Sequence, residues 1–142
     1  MKAFNLLIII LFACINTACG QIGNHQHKEM RSINYDKITN ATIKYAIETW
    51  QQGDAEKWLS LFTKDTKLYD DGNPRDFIKF STKAIGKEYF TSIDKVEDDG
   101  LSIYGKFHSD TWGDFKTYFK FHINKDSKIY QLEIGLAKYL KK

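Results

Sequence analysis

An α+β domain is expected from three observations on this 142-residue chain. Apolar residues recur at helical spacing between residues 40 and 86. From Lys87 onward the period changes to two. Short turn sequences then divide the second half into four strands. Four consecutive strands joined by short turns make an antiparallel meander, and the preceding helices need its surface to pack on.

Each element has its own signals. Ile43, Ala46, Ile47 and Trp50 stand at i, i+3, i+4 and i+7, the apolar stripe of a first helix starting near Asn40. Gly53 supplies its stop and Asp54 the next N-cap. A shorter second helix is expected to turn Trp58, Leu61 and Phe62 inward. Thr66–Asp70 reads as the first strand, and Asp71-Gly72-Asn73 is turn chemistry. A third helix is expected next. Asn73 suits its N-cap, Pro74 its first position and Asp76 its first turn. Phe77, Ile78, Ser81 and Ile85 are expected along one face, and Gly86 ends it.

The strands follow. Glu88–Glu97 is the first of the four, and Asp98-Asp99-Gly100 a hairpin turn. Leu101–Ser109 alternates Leu101, Ile103, Gly105 and Phe107 against Ser102, Tyr104, Lys106 and His108. Asp110–Gly113 makes a second turn carrying Trp112. Asp114–Asn124 alternates Phe115, Thr117, Phe119, Phe121 and Ile123 against Lys116, Tyr118, Lys120 and His122. Lys125-Asp126-Ser127 leads into a last strand, Lys128–Ala137. No internal repeat or low-complexity segment interrupts the pattern.

The bulk numbers describe an ordinary globular domain with 27% charged and 42% hydrophobic residues, and a high aromatic share of 15%. That share suits a sheet with a wide core or an aromatic-lined cavity. Lys and Arg total 21 against 18 Asp and Glu, and residues 1–19 contribute only Lys2. So near-neutral a balance gives no electrostatic argument for nucleic acid.

Residues 1–19, MKAFNLLIIILFACINTAC, read as a targeting segment. Its apolar run Leu6–Ala13 is too short to span a bilayer. Both cysteines lie in it, which excludes a disulfide framework in the folded domain. Thr17-Ala18-Cys19 resembles the end of a bacterial lipobox, with Leu11-Phe12-Ala13-Cys14 as the alternative. The expectation is a lipoprotein tethered through Cys19, or else Cys14, on the extracytoplasmic side of a membrane. A secreted chain with an ordinary cleaved signal is the alternative. Residues 20–37 lack apolar periodicity and read as a flexible tether. His25 and His27 in that tether are read as polar spacing rather than metal ligands. The folded domain is expected over 38–142.

The order of elements, with Gly53-Asp54, Leu61-Phe62 and Asp65, resembles the nuclear transport factor 2-like superfamily, which includes the SnoaL-like polyketide cyclases and the ketosteroid isomerases. The resemblance covers about residues 38–140. It implies a curved antiparallel sheet wrapped around the N-terminal helices as a cone with a pocket inside. It says little about activity, because the fold hosts many unrelated ones. In the ketosteroid isomerases the strand after the second helix ends in the aspartate base, and counting from Leu61-Phe62 puts that position at Asp70. The oxyanion donors of those enzymes fall at Ala46 and Phe119, which cannot donate. Tyr45 is next to the first position but about 100° away around the helix. Loss of such a donor costs roughly 3–4 kcal/mol, which argues against isomerase activity.

The bland reading of Asp70 and Asp71 is that they open a turn. His108 and His122 fall on the polar side of their strands. No Ser-His-Asp set, metal-ligand cluster or phosphate loop stands out, so no metal and no cofactor is expected. Trp50, Trp58, Phe107 and Phe119 point to the core by periodicity, as packing or as the wall of a ligand pocket that Asp70 completes. Lys116, Tyr118, Lys120 and His122, beside Tyr104 and Lys106, form a polar and aromatic outer face. The resemblance implies that this face can pair two copies of the chain, with a simply solvated sheet face as the alternative reading.

Three functions are carried forward: a lipid-tethered domain binding a small apolar or amphipathic molecule, an enzyme with Asp70 as general base on a small carbonyl compound, and an interaction domain whose cone is filled. A cavity joining Asp70 to a Tyr, His or Asn donor favours the enzyme. An apolar cavity without such a donor favours binding. Phe and Trp side chains plugging the cone favour the third.

Overall fold

The computed structural model describes residues 33–138. The leader with Cys14 and Cys19, and the tether histidines His25 and His27, lie outside the described residues. Three helices, α1 (Ala41–Gln52), α2 (Ala55–Ser60) and α3 (Phe77–Ala84), pack on a six-stranded sheet. Its strands are β1 (Phe62–Asp70), β2 (Asn73–Arg75), β3 (Glu88–Glu97), β4 (Ser102–Ser109), β5 (Gly113–Ile123) and β6 (Ile129–Leu136), in the spatial order β2-β1-β6-β5-β4-β3.

The α+β class and the antiparallel meander β3–β6 are as expected. The sheet as a whole is mixed, because β1 runs parallel to β6 with Asp70 beside Ile134. That pairing joins the two ends of the domain, a long crossover of the kind parallel strands require.

Local chemistry explains where the elements begin. Asn40 accepts from the Ile43 N–H at the start of α1, and Asp54 accepts from the Lys57 N–H at the start of α2. The expected second helix is shorter than read. It stops at Ser60, and Phe62 is already a strand residue with a buried ring, so β1 begins four residues before Thr66.

The segment after β1 also differs. Asp71 and Gly72 both have positive φ, 47° and 82°, and close a two-residue hairpin. Asn73 and Pro74 are thereby drawn into edge strand β2 rather than capping α3. An edge strand tolerates the missing Pro74 N–H. The cap falls to Asp76, which accepts from the Lys79 N–H at 2.8 Å. With the helix phased from there, Phe77, Ser81 and Ala84 are buried, while Ile78 is 56% exposed and Ile85 lies beyond the helix.

The folded domain starts before residue 38. Ile33 and Ile38 are both buried in the core, and the Lys37 ammonium reaches the Asp94 carbonyl at 2.9 Å. Two isolated isoleucines carry no periodicity, so the sequence pattern there reads as tether.

The predicted stripe Ile43, Ala46, Ile47 and Trp50 is buried against the inner face of the sheet. There, rings meet rings. Trp50 lies edge-on to Trp58 at 4.8 Å between centroids and to Phe119 at 5.5 Å, and Phe90 meets Phe119 at 5.0 Å. Each such pair adds about 0.5–1.5 kcal/mol beyond area burial. The deep interior of the cone is therefore filled with aromatic side chains.

Candidate functional site

A cavity of about 1200 Å³ opens between α3 and the inner face of the sheet. One wall comes from α3 and the turn after it: Lys79, Phe80, Lys83, Ala84 and Lys87. The opposite wall comes from the ends of the meander strands: Phe107, Phe115, Thr117, Ile134 and Leu136. Strand alternation puts these five on the inner face, and all but Thr117, whose hydroxyl donates to the Gly135 carbonyl, are apolar. Trp112, from the β4–β5 turn, lies at the rim and is 78% exposed. Asp70, Asp71, Arg75, Asp76, Glu88, Thr111 and Gly135 complete the lining.

Each acid in this lining has a partner. Asp70 faces Arg75 across 3.7 Å. Asp71 folds over the end of β6, where its carboxylate accepts from the Leu136 N–H at 3.0 Å and its own N–H donates to the Ile134 carbonyl. Only glycine fits beneath it: a Cβ at Gly135 would collide with Asp71 Oδ1 and the Tyr118 hydroxyl. Asp76 is committed to capping α3.

Glu88 accepts from the Ser109 hydroxyl at 3.0 Å. Ser109 Oγ in turn accepts from the Thr111 and Trp112 N–H groups, so this pair fixes the turn that carries Trp112. Burial pushes the Glu88 carboxyl above its ordinary value, the Ser109 hydrogen bond opposes this, and the nearby charges of Asp70 and Asp110 add to the rise.

The sequence-predicted residues divide between cavity and core. Asp70 and Phe107 come together on the cavity lining. Trp50, Trp58 and Phe119 are buried at 2% exposure or less, and their neighbours are other rings. Trp58 donates its indole N–H to Ser81, and the Trp50 N–H has no partner among the described residues. Ala46, at the position of an isomerase donor, is fully buried carbon, as is Phe119 apart from a trace of exposure. Among the described residues, no Tyr, His or Asn side chain lines the cavity beside Asp70.

Among the described residues, His108 and His122 sit on the outer face. His108 Nδ1 is 2.6 Å from Asp114, and His122 Nε2 is 2.7 Å from Glu133. On the same face, Lys95 lies over the Tyr104 ring at 4.5 Å.

Sequence reasoning missed Lys79, Lys83, Lys87 and Glu88. The signal was present: three lysines at i, i+4 and i+8 beside Phe80 and Ala84. Periodicity marks such a face as solvated and does not reveal a concave surface opposite it.

The fold is that of the nuclear transport factor 2-like proteins, and in this chain the interior is closed at depth by aromatic packing. Solved structures bear this out. The Orange Carotenoid Protein of Anabaena (Nostoc) sp., in a structure binding canthaxanthin, matches with TM-score 0.60 at 18% identity, over 76% of this chain and 40% of that one. A protein from Sphaerobacter thermophilus matches with TM-score 0.56 at 14% identity, over 69% of this chain and 94% of that one. An NTF2-like protein of unknown function from Cytophaga hutchinsonii matches with TM-score 0.51 at 9% identity, over 75% and 92%. At such identities the likeness establishes the fold alone. No protein-family model matches the sequence, and no curated protein matches it.

Proposed function

We propose that this domain binds a small apolar or amphipathic molecule at the open end of its cone. The observation that carries the reading is the cavity itself, with Phe80, Phe107, Phe115, Ile134 and Leu136 on facing walls. Concave sites with apolar walls and a few placed polar groups are the usual form of small-molecule sites. The filled interior moves the site outward: ligand contacts Phe107 and Phe115, while Trp50, Trp58 and Phe119 support the floor from behind. The Anabaena structure, described as binding canthaxanthin, gives a structural relative with an apolar ligand. We further propose that a lipid on Cys19 tethers the domain on the extracytoplasmic side of a membrane, on the strength of the leader sequence.

Nile red, a neutral fluorescent hydrophobe, tests the binding reading. Its emission should rise and shift to the blue with the protein, and Phe115→Asp should abolish this while the melting temperature stays within a few degrees. A wild-type protein that leaves Nile red unchanged does not bind in this way. The tether is tested separately: Cys19→Ser should move the protein from the membrane to the soluble fraction, and Cys14→Ser should not.

A further inference from the structure

The cavity lining carries equal numbers of opposite formal charges. Asp70, Asp71, Asp76 and Glu88 face Arg75, Lys79, Lys83 and Lys87. Their partners break the tie. Every acid is engaged, by Arg75, the Leu136 N–H, the α3 N-terminus or Ser109. Among the described residues, the ammonium groups of Lys79, Lys83 and Lys87 have neither ion pair nor hydrogen bond.

The three lysines are also placed together. Lys79 and Lys83 are one turn apart on α3, and the Lys87 N–H bonds back to the Ala84 carbonyl, which holds the third near the same wall. Across from them lie Phe107, Phe115 and Ile134. The three lysines thus stand on one wall of the cavity and these three apolar side chains on the opposite one.

We propose that the ligand is an amphipathic anion, with an apolar body against Phe107, Phe115 and Ile134 and a carboxylate or phosphate head on Lys79, Lys83 and Lys87. The proposal rests on the binding reading above and adds the sign and position of the head group. Long flexible lysines suit this role: their stems cover apolar surface while their charged ends meet an anion at the mouth.

Displacement of Nile red by four dodecyl compounds, each below its micelle-forming concentration, tests this. Dodecanoate and dodecyl phosphate should displace the dye at concentrations about tenfold lower than dodecanol does, the scale of one charge-assisted contact. Dodecyltrimethylammonium should be weaker than dodecanol. The tighter of the two anions identifies the head group. In Lys79→Gln/Lys83→Gln/Lys87→Gln, three exposed changes, the anions should lose their advantage while dodecanol is unaffected. Dodecanol matching the anions, or a triple variant that still prefers them, overturns the head-group assignment and leaves the cavity reading standing. A wild-type protein that fails to bind Nile red removes both.

Discussion

Trp58 donates its indole N–H to the Ser81 hydroxyl across 3.1 Å, and both side chains are fully buried. This bond joins α2 to α3, the helix that forms one wall of the cavity. Ser81→Ala leaves the indole N–H buried without an acceptor, which costs about 1–3 kcal/mol. Urea denaturation should show a lower midpoint, and Trp58→Phe combined with Ser81→Ala should cost less than the two single changes added together. Strict additivity would show that the bond contributes nothing.

Gly53 has φ 73° and ends α1, its N–H bonding to the Thr49 and Trp50 carbonyls. A Cβ there would touch Gly86 Cα at 3.4 Å. Gly53→Val therefore combines left-handed strain with a backbone contact, and should destabilise the domain by about 1–2 kcal/mol or more. A denaturation midpoint equal to wild type would mean that the backbone readjusts at no cost.

Asp70 is half-exposed at the cavity, and its pair with Arg75 is long. Such a pair is worth only about 0.2–1 kcal/mol, so Asp70→Asn should melt within a few degrees of wild type. Removing a negative charge from the rim and releasing Arg75 should tighten dodecanoate binding about two- to threefold. Weaker binding, measured by the same dye displacement, would show that the carboxylate contacts the ligand directly.

Glu88 makes stability depend on pH. Its folded-state value is raised, so its contribution is fully present below the ordinary glutamate value of 4.5 and is lost as pH rises through the folded value. Gln at this position still accepts from Ser109 but does not titrate. Glu88→Gln should therefore melt above wild type at pH 7, and the gap should close by pH 4. A gap of constant size across that range would exclude Glu88 as its source.

Ile33 is buried outside the region that reads as folded from sequence. Ile33→Ala should cost about 2 kcal/mol, the lower end for a buried isoleucine near the margin of a core. A chain beginning at residue 38 should be destabilised at least as much. Unchanged urea midpoints in both would return residues 33–37 to the tether.

Much was legible locally. Ile43, Ala46, Ile47 and Trp50 announce the buried side of α1 by spacing alone, and Asn40 and Asp54 announce its start and that of α2, because capping is settled within four residues. The alternation of Phe115, Thr117, Phe119 and Phe121 likewise records which side of β5 faces inward. Alternation does not say what an inward ring meets. Phe119 and Phe115 stand on the same face of one strand, yet Phe119 is enclosed by Trp50, Phe90 and Phe107 while Phe115 borders open space. The difference lies in what stands opposite each ring: Trp50 of α1 covers Phe119, whereas Phe115 is separated from α3 by the width of the cavity.

That distance depends on contacts remote in sequence. Asp71 closes the β1–β2 hairpin and bonds to Leu136, 65 residues away, and the parallel register of Asp70 with Ile134 brings β1 to the end of β6. The cavity lies where those elements meet α3. By itself the sequence determined α1 with its buried face, the meander strands with their inward faces, and the caps Asn40 and Asp54, all of which depend on near neighbours; edge strand β2 and the Asp76 cap of α3 were decided by the hairpin that Asp71 and Gly72 close. The tertiary structure decided that Lys79, Lys83 and Lys87 face Phe107, Phe115 and Ile134 across a gap, because a gap is a distance between surfaces and no single stretch of chain contains it.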